Sequence, residues 1–318
     1  YGFEFGHRPY ATLLQAEAEY AMQFHGARVS LLVDRRREAS PLHFVASARM
    51  SMLEVINFNG LGNATIDSGG NTALTAVHAT QWTFRPAIAL AIGSRWDVSL
   101  GPVIQHSSTD AGRSPYLAAA APYGIGRVSQ VGMQLSAQYE WRAAPTKEEH
   151  THHRVLIDLE GRVVPAALDV RSAFSVLSLT TGTSVTLPVP TQPLLVIRAG
   201  GTKVYGDFPY YEAATIGGSG TTRYMDPQRY AGDASVYATS ELRIPLARFK
   251  LVMPIRVGVL GLTEAGRVYV NGASPGGWHA RSGGGVWFGR SNASPVITLT
   301  RTTERGHSGL AMRFGLNF

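Results

Sequence analysis

Few side chains in this sequence could carry chemistry, and most of them stand alone. His106 and Ser107 are adjacent, and acidic and imidazole groups crowd one short segment at Glu148, Glu149, His150, His152 and His153. Neighbouring residues of a strand point to opposite faces, so His106 and Ser107 cannot share a proton there. The clustered histidines have no partners at metal-ligand spacing elsewhere, which favours a solvated turn over a metal site.

Two sequence motifs of common enzyme classes, GxxxxGK[ST] and HExxH, are absent. The spacing GxSxG occurs at Gly272-Ala273-Ser274-Pro275-Gly276, without the helical pattern that follows a nucleophile elbow. The run Gly60-Leu61-Gly62-Asn63 neither completes GxGxxG nor precedes a helical pattern. The chain contains no cysteine, which excludes disulfides and thiolate chemistry. We therefore expect a protein without catalytic activity, cofactor or metal.

Composition excludes two further classes of protein. The 318 residues carry a net charge of +7, but the lysines and arginines are scattered, which argues against a nucleic-acid partner. No apolar run reaches the ~18 residues that a membrane helix needs. With 35 glycines and only 16% charged residues, the chain is typical of many turns and closely spaced strands.

The clearest pattern is alternation with a period of two. From Ala234 onward, one face of the segment is polar and contains a Glu and an Arg, while the other face is apolar. A lipid-facing surface could not hold those charges, whereas the wet interior of a barrel could. Gln130–Trp141 shows the same alternation and ends in Tyr139 and Trp141, as in an interfacial aromatic girdle. The polar face after Ala234 comprises Ser235, Tyr237, Thr239, Glu241 and Arg243.

Strand length decides between a barrel and a soluble sandwich. Several alternating segments exceed ten residues, whereas soluble strands average five or six, and only closure satisfies every backbone group in lipid. We therefore predict a single all-β domain over residues 1–318, a transmembrane antiparallel barrel of 16 strands, with 14 as the lower count. Ala76–Gly93 is predicted as one long strand or two short ones divided at Pro86, and the strand count between 166 and 195 stays open.

Two segments of this sequence resemble the bacterial surface antigen superfamily, the BamA/TamA type of outer-membrane barrel. They are Arg229-Tyr230-Ala231-Gly232-Asp233, which matches a motif at the base of a long loop, and Glu241-Leu242-Arg243-Ile244-Pro245-Leu246, which matches the end of the following strand. Arg223 aligns with the family's loop-tip arginine, although Tyr224 and Met225 replace the Gly and the aromatic residue. Glu264 stands where the family has Asp.

The resemblance implies a lock inside the barrel. In that family the loop arginine docks on acidic side chains of the two following strands, so Arg223 is expected to bind Glu241 and Glu264 and to pin Val204–Asp233 in the lumen. It also implies 16 strands and a C-terminal signal for the barrel assembly machinery, formed here by Phe314, Leu316 and Phe318.

The implied function is that of an outer-membrane component of a protein translocation, insertion or surface-display system. The expected partners are outer-membrane lipids and lipopolysaccharide, the assembly machinery, and protein cargo or associated lipoproteins. One alternative is a passive porin that favours anions through Arg49, Arg243 and Arg313. Others are a membrane anchor for a hydrolase domain upstream of Tyr1 and a barrel that itself hydrolyses lipids.

Overall fold

A computed structural model describes residues 2–5, 12–22, 26–37, 40–65, 75–110, 114–143, 153–250, 254–289, 295–302 and 308–314. Within these residues, fifteen strands form one antiparallel sheet in which neighbours in sequence are neighbours in space, except that β10 pairs directly with β13. The strands β11 and β12 form a separate hairpin in the connection between β10 and β13. Fifteen strands lie between the predicted counts of 14 and 16.

The strands are long, as the alternation predicts. Their bounds are β1 Gly2–Phe5, β2 Thr12–Ala21, β3 Gly26–Arg36, β4 Leu42–Asn57, β5 Ala76–Ile92, β6 Trp96–Thr109, β7 Arg127–Arg142, β8 His153–Val164, β9 Phe174–Thr186, β10 Leu194–Gly206, β11 Ala214–Ile216, β12 Tyr230–Gly232, β13 Ala234–Lys250, β14 Pro254–Tyr269, β15 His279–Gly289, β16 Pro295–Thr302 and β17 Ser308–Phe314. One α-helix, α1, covers Pro115–Ala120. No helix within the described part of the chain is long and apolar enough to cross a membrane.

The burial of side chains follows the predicted faces. On β13 every member of the polar face, from Ser235 to Arg243, is buried, while Val236 on the other face is exposed. On β6 the residues from Gly101 to Thr109 alternate between buried and accessible at every step. The wall therefore has a polar inner face and an apolar outer face.

Pro86 does not divide β5. The ladder to β4 continues through the pair Ala46↔Pro86, whereas the ladder to β6 is interrupted between Phe84 and Ile88. Gly101 lies opposite this gap, and a Cβ there would be 2.0 Å from the Pro86 carbonyl oxygen. The proline is accommodated because its missing N–H faces one neighbour only and a glycine permits the close approach.

Aromatic and polar residues mark the two edges of the apolar band. At one edge Trp96 packs on Tyr139 with ring centroids 4.9 Å apart, which places Tyr139 where the girdle was predicted. At the other edge Trp82 stacks on His106. Trp96 and His106 are ten residues apart on β6, about 26 Å along the membrane normal for ~3.4 Å per residue and a ~40° tilt. This matches the ~25 Å apolar band of outer-membrane barrels.

The structure settles the strand count between 166 and 195, and it describes only part of two other segments of interest. The segment between 166 and 195 contains one complete strand, β9, flanked by connections. Phe314 is the last residue of β17 and pairs with Pro295, whereas Leu316 and Phe318 lie outside the described residues, as do Glu148, Glu149, His150 and His152. His153 begins β8.

A charge on the outer face tests the assignment of faces. We expect Leu135→Arg, on an exposed outward position of β7, to destabilise the barrel in lipid by about 2–4 kcal/mol, because arginine near the midplane is desolvated. Gln138→Arg is the matched control, since Gln138 faces inward and already donates to Asp158 at 2.7 Å. Urea unfolding in phospholipid vesicles measures both variants; equal losses would contradict the assignment.

Candidate functional site

The connection between β10 and β13 folds back along the inner face of the wall. It contains a 3₁₀ turn at Tyr210–Glu212 and the hairpin of β11 and β12, and its tip at Thr222–Met225 is buried. The predicted plug, Val204–Asp233, therefore begins slightly later than the sequence suggested, because β10 continues in the wall to Gly206. We call residues 207–233 the inner loop.

The tip of the inner loop is held by the carboxylate of Glu264 on β14. The Tyr224 backbone N–H donates to both carboxylate oxygens, at 3.0 and 3.1 Å, and the backbone N–H groups of Arg223 and Met225 add to the stabilisation of its charge. Glu264 is 2% exposed. Three successive amides around one buried carboxylate form a strong anion-binding arrangement, because charge-assisted hydrogen bonds gain strength where water is excluded.

The other members of the predicted lock lie beside this contact. Arg223 is buried at the loop tip, and Glu241 on β13 pairs with Arg243 of its own strand, at 2.5 Å. The hydrogen bonds from the loop tip to Glu264 thus come from main-chain amides. Docking of the Arg223 guanidinium on Glu241 and Glu264 stays a prediction.

Apolar side chains surround the lock. Tyr224 of the loop tip packs with Leu260, Leu262 and Trp287 of β14 and β15 in one buried cluster. A second cluster joins Ile216 of β11 to the wall. These contacts remove water from the Glu264 contact, so its hydrogen bonds form in surroundings of low dielectric constant.

A second carboxylate holds the inner loop to another part of the wall, strands β6–β8. Glu212 forms a buried ion pair with Arg162 of β8, accepts a hydrogen bond from Gln130 of β7 at 2.7 Å and another from Gln105 of β6 at 3.3 Å. Sequence reasoning missed this contact. The signal available was that Gln105, Gln130 and Arg162 all occupy inward positions of neighbouring strands, although nothing in the sequence identified their partner.

The loop motif anchors the base of the inner loop. Arg229 donates to Thr65 at 2.7 Å and lies over the Tyr230 ring, and Tyr230 stacks on His279 with centroids 3.7 Å apart. Gly232 has a steric role, because a Cβ there would lie 2.1 Å from the Tyr269 carbonyl oxygen. Asp233 pairs with Lys203 at 3.2 Å and accepts from the Asn271 N–H at 2.9 Å.

Three connections form a small core at the end of the lumen where the base of the inner loop lies. Phe58 from the β4–β5 connection, Leu117 of α1 and Tyr210 of the inner loop pack with Val77 of β5. Burial raises the pKa of Tyr210 to about 12, so its hydroxyl is neutral at physiological pH. An unfolded tyrosine titrates near pH 10. The stability that depends on a neutral Tyr210 hydroxyl is therefore fully present below pH ~10 and is lost as the pH rises towards 12.

The Gly60–Asn63 run lies in the β4–β5 connection, beside the same small core. The Gly62 N–H donates to the Ala231 carbonyl oxygen at 2.8 Å, and the Asn63 amide donates to the Val268 carbonyl oxygen at 2.7 Å. The run therefore ties the β4–β5 connection to the inner loop and to β14. These contacts give the run a structural role.

His106 and Ser107 lie on opposite faces, as predicted. Ser107 is buried on the inner face, and His106 bonds through Nδ1 to Ser129 of β7 on the outer face, at 2.9 Å. Two of the arginines proposed to favour anions are paired: Arg243 with Glu241, and Arg49 with Glu54 at 2.5 Å. The side chain of Arg313 lies outside the described residues. The described residues contain no cluster of metal-ligating side chains.

Comparison with known proteins supports the fold and not a sequence family. No protein-family profile and no curated protein sequence matches the chain. Among solved structures, it is similar to the crystal structure of BamA from Haemophilus ducreyi lacking POTRA domains 1–3, with a TM-score of 0.62. The match covers 99% of this chain and 68% of that chain at 11% identity. This chain has the fold of a BamA-type outer-membrane barrel.

Charge removal at Glu264 tests the first contact. We expect Glu264→Gln to lower the free energy of unfolding by about 1–3 kcal/mol, because a neutral amide leaves part of the amide array without an acceptor. Glu264→Lys should cost more, since it places a cation against N–H donors. Thermal unfolding and limited proteolysis of residues 217–229 measure the effect. Glu160→Gln, another inward glutamate, is the control; equal stability of the Glu264 and Glu160 variants would contradict the lock.

A double-mutant cycle tests the second contact. Glu212→Met leaves Arg162 buried and unpaired, which should cost about 3–5 kcal/mol. Adding Arg162→Met removes the stranded charge, so the double variant should recover most of the loss. Denaturant unfolding of the four proteins gives the coupling. A double variant as unstable as Glu212→Met alone would show that the pair does not hold the loop.

Proposed function

We propose that the protein is a bacterial outer-membrane barrel that serves protein translocation, insertion or surface display, and that it has no catalytic activity of its own. The observation that carries the proposal is the inner loop, fastened inside the barrel at Glu264 and Glu212. A fixed loop of this kind braces the wall without creating a reaction centre. The BamA-type fold supports the same assignment.

The arrangement of the loops argues against free diffusion of solutes. The lumen is crossed by the inner loop, and the core of Phe58, Leu117 and Tyr210 packs over one end. Two of the inward arginines that would attract anions in a porin are paired, Arg243 with Glu241 and Arg49 with Glu54. A braced and capped barrel favours a role in which the wall or its outer surface, rather than an open pore, meets the client.

The proposed partners follow from this role. The outer face supplies an apolar band for lipids. At the edge of this band, His106 and Ser129 would lie at the depth of the lipid head groups and lipopolysaccharide. The barrel assembly machinery would insert the protein itself. Cargo proteins and associated lipoproteins would contact the wall or the turns, and an upstream domain, if one precedes Tyr1, would recruit them.

Loss of the gene and bilayer recordings together test the proposal. We expect deletion to lower the amount of specific outer-membrane or surface-exposed proteins, measured by proteomics after surface proteolysis. Wild-type protein should restore them, and the Glu264→Lys variant should not. In planar bilayers the purified protein should give small and irregular currents, because the lumen is occupied. Steady large conductance steps together with an unchanged surface proteome would favour the porin instead.

A further inference from the structure

One side of the lumen is left open by the inner loop. The loop is fastened to β6–β8 through Glu212 and to β14 through Glu264, while a cavity of about 270 Å³ runs along the inner face of β2–β5. Its polar lining includes Glu17, Ser30, Ser47, Arg49, Thr83 and Arg85.

The strand register orders these side chains. Glu17 pairs with Ser30, Ser30 with Arg49, and Arg49 with Thr83, so they form one row across four strands. Three strand spacings of ~4.8 Å separate the ends of the row by about 14 Å. Arg85 is in the neighbouring row, opposite Ser47, and is diagonal to Arg49 at about 7–8 Å. The cavity thus has two arginines at one end and a glutamate at the other.

The two arginines differ in how they are satisfied. Arg49 donates to Glu54 at 2.5 Å, and Glu54 also accepts from Arg28. The Arg85 Nε–H is buried, and no hydrogen-bond partner for it is found within the described residues. Arg85 lines the cavity, and no ion pair to a carboxylate is found for it within the described residues, so its terminal N–H groups are available to a ligand.

We propose that this cavity binds the anionic group of a small solute, a phosphate or a carboxylate, at Arg85. A guanidinium presents its donors as a planar fork that matches both groups. The Ser47 and Thr83 hydroxyls beside Arg85 suit the remaining oxygens. Glu17 at the far end repels a second anion, so the solute carries hydroxyl groups or a cation there. The ligand is therefore an elongated, polar solute with one anionic end.

Calorimetric titration of the purified full-length protein tests the site, with inorganic phosphate in one arm and acetate in the other. We expect saturable binding in at least one arm and at least a tenfold rise in Kd for Arg85→Gln. Arg85→Lys keeps the charge but loses the fork and should fall between the two. Arg154→Gln is the control, because Arg154 is an inward arginine on β8 that pairs with Glu140 and does not line the cavity, and it should change Kd less than twofold.

Two results would overturn the proposal. One is the absence of saturable binding of either anion to the wild type at low ionic strength, and the other is equal affinity of Arg85→Gln and Arg154→Gln. If Arg85→Gln does not fold, Ser47→Ala and Thr83→Val provide the second measurement, and at least one of them should raise Kd. Unchanged affinity in both would equally refute the site. These titrations require no cargo protein, so their outcome is independent of the proposed role in translocation.

Discussion

The constraint on which this structure depends is that a strand crossing lipid must bond every backbone N–H and C=O to a neighbouring strand. Long antiparallel ladders meet that demand and leave side chains alternating between lipid and lumen. The apolar outer face and the polar inner face of β6 and β13 are the consequence. Where the ladder fails, at Pro86, a glycine on the next strand compensates within a few residues.

A polar lumen creates a second demand, because inward charges need partners once water is displaced. The inner loop supplies them at two places. Glu264 on the wall accepts amides of the loop tip, and Glu212 on the loop meets the guanidinium and amide side chains of the wall. One carboxylate belongs to the wall and the other to the loop, so each element satisfies charges of its partner. Apolar clusters around both elements remove water and strengthen these contacts.

The contacts at Glu264 and Glu212 also explain why the inner face of β2–β5 is left uncovered by the inner loop. The strands that receive the loop, β6–β8 and β14, are polar at positions that match its carboxylates and amides, whereas β2–β5 present arginines and hydroxyls that the loop does not reach. The lumen is therefore divided into a packed side and a side open to small solutes. This division separates a bracing role for the loop from a binding role for the opposite wall.

Much of the wall could be read from the sequence, because a period of two is a local property. Alternation alone predicted the faces of β13 and the aromatic edge at Tyr139, and the opposed faces of His106 and Ser107 followed from it. A helix at Pro115–Ala120 was not foreseen, and neither were the partners of Glu212. These contacts join residues 50 to 107 positions apart, and their register depends on how many strands lie between them.

The motif residues show which properties the sequence could predict and which only the tertiary structure decided. Arg229, Tyr230, Gly232 and Asp233 were identified by resemblance, as was Glu264 on the strand after the inner loop. Their roles are set by tertiary contacts: that of Gly232 by the approach of Tyr269, that of Tyr230 by the ring of His279, and that of Glu264 by the backbone N–H of Tyr224. The sequence by itself determined the two-faced wall, since side-chain alternation needs only neighbouring residues. The tertiary structure alone decided which buried charges meet and which inner surface stays free, because those outcomes depend on distances between elements that are remote along the chain.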